Sequence, residues 1–243
     1  MKTIVVTNNK GGQGKTFFAI HFAWIATLSG KRVLLVDSDR DQGNALNWVS
    51  GKSIKLPEDG KIYNFGKLDA VWTLDGKIST DGYDYVIVDG RPEADTIAGF
   101  IKKADLIVCP FDGRMGMEAV KDVTDLISDL GRNVPILVVC NRAANIKSGI
   151  VKTLIARAKT NLGFNVWPTL FLEKACVKHA EDRAVPVWDA PWSHPTGGIS
   201  MDVRELAKHV LGGKPSDKAI INPKTERPAP PLVAAKKKGN EQA

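Results

Sequence analysis

Short, almost continuously apolar runs alternate along the chain with longer segments in which apolar residues recur every three or four positions. Runs such as VLLVD, YVIVD and ILVVC are typical of strands that are buried on both faces of a parallel sheet. The runs predict strands at residues 3–7, 32–37, 83–89, 104–110, 134–140 and 165–170. The periodic segments predict helices at about residues 15–29, 115–130, 148–162 and 201–211.

The alternation of strands with helices predicts an α/β fold, namely a doubly wound, mostly parallel sheet flanked by helices. Residues 50–82 are polar and rich in turn residues, and only residues 61–65 carry a weak strand signal. In sheets of this kind, ligands bind at the carboxyl ends of the strands. Polar segments that begin at Asn8, Asp37 and Asp89 each follow an apolar run. We therefore expect these three segments to form the functional site.

The composition is that of a globular protein, because 43% of the 243 residues are hydrophobic and 25% are charged. We find neither an apolar run of 18 residues nor a signal peptide, so we expect a cytoplasmic protein. The cysteines Cys109, Cys140 and Cys176 are too far apart for a disulfide framework or a zinc site. They are predicted to be buried thiols.

The net charge of +7 is unevenly distributed along the chain. Residues 213–243 carry +4 of it and contain five of the 13 prolines, with too few apolar side chains to offset the entropy of ordering them. We expect a folded domain over residues 1–212 and a disordered basic tail over 213–243. The tail can contact DNA or an acidic partner, or act only as a dispensable, solubilising terminus.

A glycine-rich segment that ends in GKT follows the first predicted strand. Its glycines let backbone N–H groups turn onto phosphate oxygens, Lys15 supplies a cation, and the Thr16 hydroxyl can bind Mg²⁺. The predicted nucleotide contacts are Gly11, Gly12, Gln13, Gly14, Lys15, Thr16 and Phe17. The standard spacing requires glycine at Asn9, and here an extra lysine, Lys10, precedes the glycines. The alternatives are a purely structural turn and, for Lys10, a solvated loop charge.

Acidic residues close two of the buried runs. Asp37 and Asp39 follow the second strand, where they can hold the water shell of Mg²⁺ and orient an attacking water. Asp89 closes YVIVD, the pattern of a strand that ends in a Mg²⁺-binding carboxylate. The predicted metal ligands are thus Thr16, Asp37 and Asp89. The alternative for the first pair is that the two carboxylates only cap a turn.

The segment KGGQGKT resembles the deviant Walker A motif of the ParA/MinD-type ATPases, and DSD and VIVDGRP follow it in that family's order. The resemblance covers about residues 1–211. It implies that Lys10 reaches the phosphates bound by the other subunit of a dimer. It also implies that Asp39 serves hydrolysis, so Lys10, Lys15 and Asp39 are the predicted catalytic residues. One departure is that Arg40 and Asp41 occupy the place of a single proline.

The same resemblance implies that Asn141 hydrogen-bonds adenine and that residues 182–188 form the other wall of the base pocket. It identifies residues 1–212 as a small ParA-like P-loop ATPase domain that lacks an N-terminal helix-turn-helix domain. We expect ATP and Mg²⁺ as cofactors, a homodimer in the ATP state, and no membrane association. The implied function is plasmid partition by a nucleoid-associated protein. In that implied function, the ATP dimer binds nonspecific DNA, and a centromere-binding, ParB-like adaptor stimulates hydrolysis and thereby releases the dimer from the DNA.

Two helices near the end of the predicted domain have basic outer faces that can contact DNA phosphates, or can simply be solvated. These residues are Lys147, Lys152, Arg157 and Lys159 in the first helix and Arg204 and Lys208 in the second. Three other functions stay open at this stage. They are an accessory ATPase of conjugative DNA transfer that positions a relaxosome, a P-loop small-molecule synthetase, and a DNA-binding module without hydrolysis.

Overall fold

The computed structural model describes residues 1–39, 44–54, 58–73, 77–91, 94–142, 149–160, 164–191, 193 and 198–212. The strands are β1 Lys2–Val6, β2 Val33–Asp37, β3 Ile62–Phe65, β4 Leu68–Trp72, β5 Tyr85–Asp89, β6 Leu106–Phe111 and β7 Ile136–Cys140. The helices are α1 Lys15–Leu28, α2 Asn44–Ser50, α3 Ala94–Ile101, α4 Gly113–Asp129, α5 Gly149–Thr160, α6 Ala175–Asp182 and α7 Ile199–Leu211, with a 3₁₀ turn at Val187–Asp189.

One seven-stranded sheet organises the fold, with the strand order β3-β4-β2-β5-β1-β6-β7. All neighbouring strands are parallel except β3, which forms an antiparallel hairpin with β4. The predicted doubly wound, mostly parallel sheet is therefore confirmed. Asp89 is in register with Val6 on one side and with Asp37 on the other. The carboxyl ends of β1, β2 and β5 thus meet at the centre of one sheet edge, as the site prediction requires.

Two hydrophobic layers cover the two faces of the sheet, which explains the unbroken apolar strands. One layer packs α1, α2 and α7 against the sheet, and the other packs α3, α4 and α5. Helix α1 is buried along most of its length because α2 and α7 lie over it. Within the part of the chain that the structure describes, no helix is long and apolar enough to cross a membrane.

The strand predicted at residues 165–170 is wrong, because this segment makes only a single parallel bridge, between Val138 and Val166. The backbone bonds on either side of the bridge run from Val138 N to Asn165 O and from Trp167 N to Val138 O. The next backbone bond to β7 runs from Phe171 N to Cys140 O, two residues later than a regular parallel ladder would place it, so the ladder is broken. The sequence also left unassigned the strand β4 and the helices α2, α3 and α6.

One of the predicted solvent-facing cations is buried. Arg204 is only 7% exposed, and its guanidinium lies 4.8 Å from the ring centroid of Trp188. Burial lowers the pKa of Arg204, and the stacked aromatic ring stabilises the cation instead of solvent. The prediction for α7 is therefore wrong at Arg204. On α5 the predicted exposed cations are confirmed at Lys152, Arg157 and Lys159.

The cysteines are as the sequence predicts. All three cysteines are buried free thiols, as predicted, and burial raises the pKa of Cys109 to about 12.

Residues 40–43, Lys147 and the tail at 213–243 lie outside the described residues. Their predicted features therefore stay predictions.

Candidate nucleotide-binding site

A cavity of about 770 Å³ opens at the carboxyl edge of the sheet. Its floor is the glycine-rich loop and the first residues of α1, and one side is formed by Asp39 and Asp89. The opposite side is formed by Asn141 and Arg142, and the far end by residues 172–174 and by α6. This volume is within the range of cavities that enclose a small-molecule ligand.

The loop backbone has the shape of a phosphate cradle. Gly12 and Gly14 have positive φ values of 73° and 90°, a region that residues with side chains rarely adopt. A Cβ atom on Gly14 would also collide with the side-chain amide of Asn141. Helix α1 begins directly after Gly14, at Lys15, so its first N–H groups have no intrahelical acceptor. Such a helix terminus attracts an anion.

The side chain of Lys15 folds back across the loop, where its Nζ atom donates to the backbone oxygen of Lys10 at 2.9 Å. Lys15 is 9% exposed, so its charge lies inside the cavity rather than in bulk water. The backbone N of Lys10 donates to Asn8 Oδ1 at 2.9 Å, which fixes the start of the loop. The role predicted for Lys10 involves a second copy of the chain and stays a prediction.

Asp37 and Asp89 form a buried pair of carboxylates, 1% and 4% exposed. Asp37 accepts hydrogen bonds from Leu46 N and Asp39 N, both at 3.0 Å, and Asp89 accepts one from the Thr16 hydroxyl. Burial raises the pKa of both carboxyl groups, and the charge of Asp37 raises that of Asp89 further. A bound cation would relieve this electrostatic cost.

The residues Thr16, Asp37 and Asp89 fit Mg²⁺, which binds oxygen ligands and usually combines one or two carboxylates with phosphate oxygens and water. The described residues contain no cluster of three or more His, Cys, Asp or Glu side chains suited to a metal. The protein would thus supply only part of the coordination shell. Phosphate oxygens and water would supply the remaining ligands of a magnesium ion here.

Asp39 lies at the edge of the cavity with its backbone held at both ends. Its N–H donates to Asp37 Oδ1, and its carbonyl accepts from Trp72 Nε1 at 2.7 Å. The predicted hydrolytic residue is therefore anchored beside the two buried carboxylates. The neighbouring departure from the family pattern, at residues 40–43, lies outside the described residues.

Two polar side chains tie the loop to the start of α4. Gln13 Oε1 accepts from Asp112 N at 2.6 Å, and Asn8 Nδ2 donates to Pro110 O at 2.9 Å and Gly116 O at 3.1 Å. The side chain of Gln13 thus contacts the start of α4. Its predicted contact with a nucleotide stays a prediction.

The part of the cavity predicted to hold the base differs in part from that prediction. Asn141 lines the wall, and its Nδ2 donates to Gln13 O at 2.9 Å. Of the predicted wall at residues 182–188, only Asp182 lines the cavity, whereas Val187 and Trp188 are buried in the core. Residues on α6 and in the preceding segment take this place. They are Leu172, Glu173, Lys174, Val177, Lys178 and Glu181. No sequence motif singled them out, because α6 itself was not predicted.

The first turns of α1 are held by a buried histidine. His21 accepts from Val187 N through Nε2 at 3.0 Å, so its proton is on Nδ1 and is donated to Phe17 O at 2.6 Å. Burial lowers the pKa of His21 to about 4, so the ring is neutral at pH 7. Phe17 lines the cavity, and His21 thereby connects the site to the 3₁₀ turn.

Comparison with known proteins also indicates a nucleotide-binding domain. The family model described as "CobQ/CobB/MinD/ParA nucleotide binding domain" matches residues 4–186. The chain is 36% identical to "Maintenance of carboxysome distribution protein A" of Gloeobacter kilaueensis over 112 residues, which span 45% of this chain and 48% of that relative. It is 25% identical to "Sporulation initiation inhibitor protein Soj" of Bacillus subtilis, over 86% of this chain and 94% of the relative.

A solved structure of a putative plasmid partition protein from Borrelia burgdorferi, bound to AMPPNP, has the same fold. The TM-score is 0.63 at 18% identity, covering 87% of this chain and 97% of that one. The family model spans well over half of the chain and begins within β1, ahead of the phosphate cradle. The chain therefore belongs to the CobQ/CobB/MinD/ParA family of nucleotide-binding domains, as an ATPase of the ParA/MinD type.

Proposed function

We propose that the protein is a ParA-like positioning ATPase that segregates plasmid DNA. Two subunits close around two Mg·ATP, the closed dimer binds nonspecific DNA, and a centromere-binding, ParB-like adaptor stimulates hydrolysis and releases the protein. The observation that carries the proposal is the folded KGGQGKT loop, with Lys15 lying across the cradle and Asp39 anchored at its edge. The protein would act in the cytoplasm, associated with the nucleoid.

In this proposal the chain's own residues position ATP and water for phosphoryl transfer. The N–H groups of the loop and Lys15 bind the phosphate chain, and Thr16, Asp37 and Asp89 hold Mg²⁺. Magnesium bound there would neutralise charge on the β- and γ-phosphates. Asp39 orients the water that attacks the γ-phosphate, and the products are ADP and inorganic phosphate.

Lys10 has a separate role in the proposal. Its backbone carbonyl accepts from Lys15, and its side chain is only half-buried, so its ammonium is available to a second subunit. Contact with the nucleotide of the partner copy would make dimerisation depend on the charge of the triphosphate. Two loops that carry cations repel each other until phosphate neutralises them.

The cargo and the DNA-binding face are supported by different observations. A carboxysome distribution protein and a putative plasmid partition protein are among the relatives, which supports the distribution of a large cargo. The exposed cations Lys152, Arg157 and Lys159 lie on one helix, α5, and support contact with DNA phosphates. Binding through such contacts does not depend on sequence and weakens as salt increases.

The first experiment is light scattering of the protein with ADP and with ATP·Mg²⁺, using Asp39→Ala to suppress turnover. We expect a dimer only with ATP, followed by DNA binding that is weaker at the higher of two salt concentrations. Lys15→Ala should lose nucleotide binding, and Lys10→Ala should bind ATP but remain monomeric. A protein that stays monomeric with both nucleotides and ignores DNA would refute the proposal and favour a small-molecule synthetase.

The cargo needs its own measurement. Steady-state phosphate release is compared with DNA alone, with the candidate adaptor alone, and with both together. We expect the largest stimulation with both. If a relaxosome protein stimulates hydrolysis and a centromere-binding adaptor does not, the cargo is a conjugative transfer complex rather than a partitioning plasmid. A complete absence of phosphate release under all conditions would identify a DNA-binding module without hydrolysis.

A further inference from the structure

Arg142 lies at the mouth of the cavity, directly after Asn141, and none of the predicted nucleotide contacts includes it. Its Nη1 atom lies 4.0 Å from the point that a Cβ atom on Gly12 would occupy. Gly12 belongs to the loop whose backbone N–H groups form the phosphate cradle. The guanidinium therefore lies at the phosphate end of the cavity and not at the end formed by α6.

The backbone at Arg142 is held in an unusual conformation. Its φ angle is 51°, and among the described residues only Ala184 is another non-glycine residue with a positive φ. An arginine in this region costs conformational free energy, which is commonly retained at functional sites. Asn141 fixes the approach to it, because its N–H donates to Phe111 O at 2.8 Å and its side chain donates to Gln13 O at 2.9 Å.

The chemistry of the side chain suits a phosphate. A guanidinium is always ionised and presents paired N–H donors that match two phosphate oxygens. Arg142 is exposed, so its side chain has room to turn onto a ligand. The cavity would have to take up the several negative charges of a triphosphate, and a cation beside Lys15 attracts them further.

We propose that Arg142 contacts the phosphate chain of the nucleotide bound by its own subunit, as a second cation of that subunit beside Lys15. The inference rests on the proposed function, because it requires a nucleotide in the cavity. It goes beyond that function by assigning part of the affinity for ATP and ADP to a residue outside the glycine-rich loop.

The test is calorimetric titration of the full chain with ATP, ADP and AMP, for the wild type and for Arg142→Asn. Asparagine tolerates a positive φ, so this variant removes the charge and keeps the backbone. Losing a charge-assisted hydrogen bond should weaken ATP and ADP binding by about tenfold or more and change AMP binding much less. Arg142→Lys keeps the charge without the paired donors, so its affinities for ATP and ADP should lie between those of the wild type and those of Arg142→Asn.

The matched control is Arg132→Asn, which removes an exposed arginine that does not line the cavity. We expect its nucleotide affinities to equal those of the wild type. Thermal unfolding of each variant without nucleotide checks that the fold is retained, and Arg142→Gly, which removes the backbone cost as well, provides a second variant if Arg142→Asn is unstable.

Three results would overturn the inference. They are unchanged ATP affinity in Arg142→Asn, equal weakening of ATP and AMP binding, and loss of ATP-dependent dimerisation at unchanged ATP affinity. The last result would mean that Arg142 acts on the second copy. Failure of the proposed function looks different, because the wild type itself would then not bind nucleotide. If Lys15→Ala loses nucleotide binding and Arg142→Asn does not, only the inference about Arg142 fails.

Discussion

The neutral, buried His21 makes the stability of the protein depend on pH in a defined direction. Burial lowers its pKa to about 4 in the folded protein, from an ordinary histidine pKa of 6.5. Between these values the unfolded chain binds a proton that the folded chain rejects, so stability falls as the pH falls from 6.5 toward 4. The loss attributable to His21 between pH 7 and pH 5 is about 2 kcal/mol.

The surroundings of His21 explain why the folded protein rejects the proton. Its ring packs against four aromatic rings, those of Phe17, Trp24, Trp48 and Trp188, and its Nε2 atom already accepts the N–H of Val187. Protonation would place two N–H groups face to face and bury a charge among aromatic side chains. Arg204 is stacked on Trp188, one of these four rings, so the cluster already contains a cation on that ring.

The assay is urea unfolding at pH 7 and pH 5, without nucleotide, for the wild type and His21→Gln. Glutamine does not titrate, so the variant should be less stable at pH 7 but should lose about 2 kcal/mol less than the wild type between the two pH values. The buried carboxylates titrate in both proteins, so the difference isolates His21. If both proteins lose the same free energy, His21 is not neutral in the folded state and the reasoning is refuted.

Three further predictions test the site and the core. Gly14→Ala should lose nucleotide binding, because the new methyl group meets Asn141 at a positive φ. The control Gly149→Ala lies outside the cavity with nothing within 4 Å of its Cβ and should retain binding; fluorescent-nucleotide titration compares the two variants. Asp89→Asn should stabilise the nucleotide-free protein by about 1–2 kcal/mol and abolish the Mg²⁺ dependence of nucleotide binding, measured by unfolding and titration with and without Mg²⁺. Arg204→Met should cost about 1 kcal/mol of stability and leave DNA affinity unchanged, since this arginine is buried; weakened DNA binding would contradict its placement.

The sequence by itself determined the class of fold and the centre of the site. Buried parallel strands are uniformly apolar, so their positions are readable without the structure, and the carboxyl ends of adjacent parallel strands must share an edge. This is why Asp37 and Asp89 could be expected beside the glycine-rich loop. The loop is equally readable, because its chemistry depends on neighbouring residues within one turn and one helix terminus.

Only the tertiary structure decided which distant segments cover these elements. Periodicity indicates that one face of α7 is apolar, but Trp188 in a separate 3₁₀ turn is what buries Arg204. The neutral state of His21 depends on an N–H group 166 positions away, and the side chain of Asn141 meets the loop across 128 positions. Strand β4 was not predicted because Asp69 interrupts its apolar run. In the structure, the Asp69 carboxylate accepts hydrogen bonds from the side chains of Asn64 and Tyr83. Contacts of this kind form between residues far apart in the chain, so the local sequence pattern does not predict them.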